Sequence, residues 1–401
     1  MSTTRTALVI GGGIAGPVAA TALLKAGIDA RVYEAYPSPS DGIGSGLALA
    51  PNGLAALDVI DAGDPVRAIA LPVSRMRLSM NGKMLPVPGL SDMPPLQVVD
   101  RGELHRALHD HAIDAGVAFE YGKRLVDVEE GEAGVTARFA DGSTATADVL
   151  IGADGIRSTV RGLIDPAAKG PDYTGMLGFG ALTECDIDVE PDTMTFAFGK
   201  RAYYLYWRHD DGRIAWGVNL PHKQYLSLTQ ARAIPAENWL RIIRETYGDD
   251  TPGGELARRT TAEQLETVGA LHIMPPVRHW YRGRMVLVGD SVHAPSNSSG
   301  QGASLAVESA VQVARCLRDL PDPAGAFAAY EGLRRERVEG VAKRAARINH
   351  SKTPGPVTRA MMTLLMPLMT KTVMNPEKTL GPEQRYRIDW DAPVQQEFVS
   401  A

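Results

Sequence analysis

At 401 residues, with 44% hydrophobic and 22% charged residues, the chain is long enough for two domains that share strands, and its net charge of -5 carries no basic excess to recruit nucleic acid. Its two cysteines, Cys185 and Cys316, lie far apart with no Cys-x-x-Cys spacing, which points to neither a disulfide framework nor a metal site and fits a reducing cytoplasm. The uncharged run 7–24 is broken by Gly11-Gly12-Gly13, where a membrane span would carry Leu, so a soluble nucleotide-binding unit is expected instead of a signal peptide or membrane helix.

The opening stretch TALVIGGGIAGPVAATALLKAGIDARVYEA reads as an apolar strand, a Gly turn, an Ala-rich helix stopped at Gly27, and a second strand ending at Glu34. A Gly-rich loop then meets Pro51-Asn52 and a helix. DRGELHRALHDHAIDAG follows with Leu104, Leu108 and Ile113 at helical spacing. Strand alternation governs GVTARFADGSTATADVLIGADG, with Asp141-Gly142 at a hairpin turn. From about 171 to 272 the texture becomes alternating and aromatic, with Asp211-Gly212 at a second hairpin tip, which predicts an antiparallel sheet inserted into an α/β frame. VLVGDSVHAPSNSSGQGAS restores the first style, leading into an Ala-rich helix over about 303–317 and then a charged helix. The basic run 334–347, interleaved with Glu and Ala, reads as a solvated helix face. The apolar stretch VTRAMMTLLMPLMTKTV, broken by Pro367, reads as a docked helix.

Gly11-x-Gly13-x-x-Gly16 follows a strand and opens a helix, the arrangement that lets a backbone approach a pyrophosphate at a helix N-terminus. Alone the pattern also fits a plain structural turn. Glu34, placed to accept both ribose hydroxyls and to repel a 2'-phosphate, favours FAD or NAD over NADP as the resident ligand. Two further acids end apolar strands: Asp154 in DVLIGADG and Asp290 in MVLVGD. A lone acid there also fits a helix cap or a turn carboxylate, the reading adopted for Asp141.

The three segments together, in this order over about residues 5–350, resemble the class A single-component flavin monooxygenases, the group of p-hydroxybenzoate hydroxylase, salicylate hydroxylase and the tetracycline-inactivating monooxygenases. The resemblance implies FAD as cofactor and NADPH or NADH as a transient reductant bound without a second Rossmann fold. It also implies an α/β fold with a Rossmann-like FAD-binding domain (1–72, 97–168 and 274–350), an inserted, mostly antiparallel substrate-binding sheet (73–96 and 169–273), and a C-terminal helical segment with its tail (351–401). Gly11, Gly13, Gly16 and Glu34 would hold the ADP half. Arg101 would sit near the flavin phosphate and ribityl chain, Asp154 would belong to the motif linked to FAD and NADPH binding, and Asp290 would grip the ribityl hydroxyls. Gly46 and Leu47 would border the ring, and Gly300, Gly302 and Ala303 would aim a helix N-terminus at its N1 and C2 oxygen, where reduced flavin gathers negative charge. The chain departs from the family at Ser304, where Asn is frequent, at Ala35, and at Val307-Glu308-Ser309-Ala310.

By the same resemblance O2 adds at flavin C4a, and the hydroperoxide passes one oxygen to an electron-rich carbon of an aromatic or polycyclic small molecule, with hydroxylation expected and Baeyer-Villiger or epoxidising chemistry as the alternative. A flavin-bound redox sensor is the non-enzymatic rival; the Trp-x-Trp-x-Ile-Pro segment of flavin halogenases is missing. No Ser/His/Asp or His-rich metal spacing suggests another chemistry, and His293 is read as structural. Period-2 reading sets Tyr204, Tyr206 and Arg208 on one face of the aromatic strand and Tyr203, Leu205 and Trp207 on the other, without showing which faces the flavin. The likeness of KRAYYLY to the family's sheet implies that Arg201, Tyr204 and Tyr206 line the substrate side. Pro295 and the Met-rich 361–369 are expected to close the pocket.

Overall fold

The computed structural model describes residues 4–39, 46–80, 82–90, 92–132, 134–350 and 376–394. β1 (Thr6–Ile10), α1 (Ala15–Lys25) and β2 (Asp29–Tyr33) form the opening βαβ unit, as the Gly punctuation predicts. β3 (Leu47–Leu49), α2 (Pro51–Asp58), α3 (Gly63–Ile69) and β4 (Leu71–Val73) follow, then β5 (Arg75–Met80), β6 (Lys83–Val87), β7 (Leu96–Val99), α4 (Arg101–Asp114) and β8 (Ala118–Glu120). β9 (Leu125–Gly131), β10 (Gly134–Phe139) and β11 (Thr144–Ala147) make a small antiparallel sheet that leads to β12 (Val149–Gly152) and α5 (Thr159–Ile164). The aromatic region supplies β13 (Asp172–Thr183), β14 (Thr193–Phe198), β15 (Tyr203–Arg208), β16 (Ile214–Pro221), α6 (Leu228–Ala233), α7 (Ala236–Tyr247), α8 (Gly253–Arg259) and β17 (Glu266–Ile273). β18 (Tyr281–Arg282), β19 (Met285–Leu287), α9 (Gly302–Asp319) and α10 (Pro323–His350) return to the first frame.

The apolar runs of β1, β12 and β19 are buried nearly throughout because each lies inside a sheet covered on both faces. That sheet runs β18-β19-β12-β1-β2-β8, parallel except for β18 against β19. One consequence decides the location of the site. The loops after β1, β2, β12 and β19 all leave from the carboxyl edge of one sheet, where open α/β sheets bind ligands.

The second large sheet runs β17-β13-β16-β15-β14-β5-β6 and is antiparallel except between β14 and β5. One of its faces is covered and the other only in part, with Phe196, Leu205, Trp207 and Gly217 half-buried. α7 and α8 bring Trp239, Tyr247 and Leu256 onto Tyr204, Tyr206 and Trp216, whereas Phe196, Leu205 and Trp207 pack with Val73 and Val98 of the three-stranded sheet β3-β7-β4.

α9 and α10 close the first domain, and the basic run does not behave as a solvated face. Arg334 is fully buried and pairs with Glu308 of α9 at 2.6 Å. Helical spacing of Arg334 and Arg337 turns both toward one carboxylate in the second turn of the neighbouring helix, Arg334 the more deeply. The segment 376–394 lies back on the pair: Tyr386 stacks 4.1 Å from the Arg337 guanidinium, and Arg315 donates to the Ala392 carbonyl at 2.7 Å. The Met-rich 361–369 and the apolar stretch around it fall outside the described residues. Among the described residues no helix is long and apolar enough to cross a membrane.

Candidate FAD site

The backbone of the Gly turn is fitted to its neighbours. Gly11 has φ +103°, and a Cβ there would lie 2.5 Å from the Ala153 carbonyl; a Cβ at Gly16 would lie 1.9 Å from the Gly11 carbonyl. The Gly11 N–H donates to the Tyr33 carbonyl and the Ala153 N–H to the Ile10 carbonyl, each at 2.8 Å, so the three strand ends are tied together. Val288 N–H donates to the Gly152 carbonyl at 3.0 Å, and buried Arg161 reaches the Ser291 carbonyl at 2.8 Å. The Asp154 and Asp290 loops are thereby one unit. His105 of α4 bonds the Gly12 carbonyl at 2.7 Å, a support that its helical spacing alone gives no reason to expect.

The acids differ in what they do. Glu34 Oε2 accepts from Gly12 N–H at 2.7 Å and Oε1 from Tyr36 N–H at 2.9 Å, which leaves each oxygen a further lone pair. Asp154 is engaged as a helix cap: it accepts from Thr159 N–H at 2.7 Å, Val160 N–H at 3.1 Å and the Ser158 hydroxyl at 2.5 Å. Within the motif linked to FAD and NADPH binding, this carboxylate anchors its own loop, because α5 opens five residues later and its free N–H groups reach it. Burial raises its pKa against those donors. Asp290 accepts no hydrogen bond from the described residues; burial pushes its carboxyl above the ordinary carboxylate range, and the Arg101 charge opposes the shift. Asp290 is half-buried, and a carboxylate here without a donor among the described residues fits a partner rich in hydroxyl groups, as a ribityl chain is.

The N-termini of α1 and α9 carry no side-chain cap, and Cβ atoms at Gly13, Gly300 and Gly302 would meet nothing within 4 Å. Uncapped N–H groups opening onto free space are what an anionic or carbonyl-bearing ligand requires. Together with Glu34 and Asp290 this edge suits the phosphates and sugar hydroxyls of FAD. Gly46 lies beside Trp207, its Cβ position 3.5 Å from the indole, and Leu47 opens β3.

Behind α9 runs a polar network that the sequence reading missed. Asn52 donates to Gln301 at 2.9 Å and to Glu308 at 2.7 Å, and Glu308 holds both Arg334 and Arg337. Burial would raise Glu308, yet the two guanidinium groups keep its carboxyl below its ordinary range. Ser304 accepts from the Ala50 N–H at 3.0 Å where α2 meets α9 at Gly53. Its role is helix packing, and the smaller side chain is what lets Gly53 approach.

His293 bonds Ser309 at 2.8 Å in the same interior, in keeping with a structural role. Burial, with the Arg334 charge adding, presses its pKa from 6.5 to about 3. Between those values the unfolded chain binds a proton that the folded chain refuses, so folding stability falls as pH falls through this window. His293→Asn should flatten that fall by roughly 3 kcal/mol between pH 7 and pH 4, read from denaturant midpoints at the two values. Parallel pH profiles in the two proteins would remove His293 as the cause.

On the substrate side the assignment of faces is corrected. Tyr204 accepts from Gly253 N–H at 3.2 Å and meets Tyr247 edge-on at 5.6 Å, and Tyr206 stacks on Tyr204 at 6.0 Å; both lie beneath α7 and α8. Arg201 is exposed, bonding the Glu245 carbonyl and Asp249 at 2.8 Å past the end of α7. With aromatic residues on both faces of β15, alternation could not tell them apart; the helices α7 and α8 do. The face toward the first domain carries Tyr203, Leu205 and Trp207, and by register Asn219. Pro295 is buried in the loop between β19 and α9.

Residues 4–345 match the FAD binding domain family. The chain is 30% identical to the FAD-dependent urate hydroxylase of Klebsiella pneumoniae over 360 residues, covering 86% of this chain and 91% of that one. It is also 30% identical to the 6-hydroxynicotinate 3-monooxygenase of Pseudomonas fluorescens, over 86% and 90% of the two chains. The crystal structure of Klebsiella pneumoniae HpxO complexed with FAD and uric acid superposes with a TM-score of 0.80 at 25% identity, covering 96% of each chain. A fold that gathers strand ends and uncapped helices at one edge, matched nearly end to end by such relatives, identifies this chain as an FAD-dependent enzyme of the FAD binding domain family of aromatic monooxygenases and hydroxylases.

Proposed function

We propose that the chain hydroxylates an aromatic or polycyclic small molecule, using O2 and NADPH or NADH. The cleft lies between the nucleotide-binding unit (1–72, 97–168 and 274–350) and the inserted sheet (73–96 and 169–273). Asp290 carries the reading, a half-buried carboxylate without a donor among the described residues at the carboxyl edge of the parallel sheet. The urate hydroxylase and 6-hydroxynicotinate monooxygenase relatives support an aromatic heterocycle or phenol as substrate.

The flavin, reduced by the nicotinamide, supplies oxygen activation, and the balance is substrate C–H plus O2, NAD(P)H and a proton to C–OH, water and NAD(P)+. This chain's residues do the rest. Glu34 accepts the ribose hydroxyls, Asp290 the ribityl hydroxyls, and Gly11, Gly13 and Gly16 admit the pyrophosphate. Arg101 offsets negative charge near the phosphate. The N-terminus of α9, at Gly300, Gly302 and Ala303, stabilises charge gathered at the ring, with Gly46 and Leu47 on its other side. The apolar face of β15 excludes water and aligns the substrate ring.

Acid treatment of the purified yellow protein should release intact FAD. An electron-rich aromatic should accelerate NAD(P)H oxidation and leave a product one oxygen atom heavier. FAD-loaded protein whose reduction no aromatic alters, with all reducing equivalents recovered as H2O2, would count for an oxidase instead.

A further inference from the structure

We propose that the site takes an uncharged bicyclic or polycyclic aromatic bearing a ring carbonyl, held by the side-chain amide of Asn219, and discriminates against aromatic carboxylates. This rests on reading the cleft as the oxygenase substrate site. Asn219 is 5% exposed. Its Oδ1 accepts from Asn297 Nδ2 at 3.4 Å, in the loop that leads into α9, while its own Nδ2 has no partner among the described residues. A buried N–H donor left this way is matched by a carbonyl on a ligand.

The surroundings choose the rest of the molecule. Asn219 stands opposite Tyr203, and the next positions on that face are Leu205 opposite Gly217, with Gly180 beyond, then Trp207. Adjacent glycines leave bare backbone between two aromatic side chains, a floor for a flat ring system. A Cβ on Gly217 would find its nearest neighbour at 3.7 Å, so the glycine leaves room that its own packing does not demand. The indole N–H of Trp207, four residues along β15 from the Tyr203 that faces Asn219, is a second buried donor without a partner among the described residues. Donors at both ends of an apolar floor suit more than one fused ring.

The charge pattern excludes an acid. The sheet's arginines point to the other face: Arg77 pairs with Glu190, and Arg208 donates to the Val189 carbonyl at 3.0 Å. By register the charged side chains on the cleft face are Glu266, opposite Gly180 and itself an acid, and Lys83, exposed on the edge strand β6 four strands away from Asn219. A carboxylate entering beside Asn219 would lose its hydration with no cationic side chain on the cleft face of the neighbouring strands β13, β15 and β14.

The test is calorimetric titration of the FAD-loaded protein with 4-quinolone and with 4-quinolone-3-carboxylate, one bicycle with and without the charge. The neutral compound should bind at least about tenfold more tightly, and Asn219→Leu should weaken it by at least about tenfold with FAD content unchanged. Equal or tighter binding of the carboxylate overturns the proposal, as does an Asn219→Leu protein that binds 4-quinolone as the wild type does, or binding of neither compound. Since the ligand pair is compared on the wild type, a variant that folds poorly does not decide the outcome. Selective binding without NAD(P)H-driven turnover of any aromatic would sink the oxygenase reading and leave the ligand class standing.

Discussion

Glu308→Ala should destabilise the FAD-loaded protein by roughly 3 to 5 kcal/mol, the usual result of stranding one member of a buried ion pair. Glu308 and Arg334 are both fully buried, their contact is 2.6 Å, and Arg337 shares the carboxylate at 2.8 Å. Without it, Arg334 keeps the Tyr386 ring at 5.3 Å and a long bond to the Leu305 carbonyl at 3.5 Å, neither of which replaces a countercharge. Replacing the pair together, Glu308→Leu with Arg334→Met, should recover most of the loss, since the fully buried guanidinium goes with its partner and the partly exposed Arg337 keeps the Pro382 and Glu383 carbonyls. Urea unfolding of the variants in excess FAD measures both. A Glu308→Ala protein within about 0.5 kcal/mol of wild type, the range of a surface change, would mean that water or the C-terminal segment takes over the guanidinium. Because Asn52 bridges Glu308 to Gln301, both variants should also loosen the turn that opens α9 and bind FAD less tightly than the wild type.

The parts of this molecule that were legible in advance are those where local geometry dictates residue type. Gly11 and Gly16 are glycine because a Cβ at either would collide with backbone, and Glu34, Asp154 and Asp290 stand at strand ends because their strands are apolar runs that stop there. Such features are short-range and read directly. The helix from Arg101 and the hairpin tips at Gly142 and Gly212 belong to the same class, each set by a cap or by a residue with positive φ.

What was not legible depends on partners distant in the chain. Alternation in β15 separates Tyr203 from Tyr204, but both are aromatic, and only α7 and α8, some thirty to fifty residues later, show that Tyr204 and Tyr206 belong to the covered face. Arg334 looked like its solvated neighbours because the acid it meets lies on another helix. Asp154 matched a family motif, yet its carboxylate is drawn to the helix that begins just after it. In each case the residue type was recognised and the partner was not, and the partner decides the role.

Asp290→Ala should weaken FAD retention by about 1.5 to 3 kcal/mol, a loss of roughly ten- to a hundredfold in affinity, while making the FAD-free protein more stable. Both effects come from one fact: the carboxylate sits where burial raises its pKa, and no described residue donates a hydrogen bond to it. In the FAD-free protein the half-buried carboxylate keeps part of its hydration, so its desolvation is a partial cost, eased further by Arg101 and removed by alanine. Ribityl hydroxyl groups would repay the cost as charge-assisted donors, so only the loaded protein gains from the acid. The sign with pH follows. A carboxyl raised above its unfolded value disfavours folding once ionised, so the FAD-free wild type should close its stability gap to Asp290→Ala as pH falls toward the ordinary carboxylate value of 3.8. Asp290→Asn, which keeps one carbonyl acceptor without the charge, should fall between the two in FAD affinity. Thermal melts with and without added FAD separate the arms. An alanine variant that melts lower in the absence of FAD would show that Asp290 holds the protein's own loop, and the ribityl assignment would then pass to another acceptor at the same sheet edge.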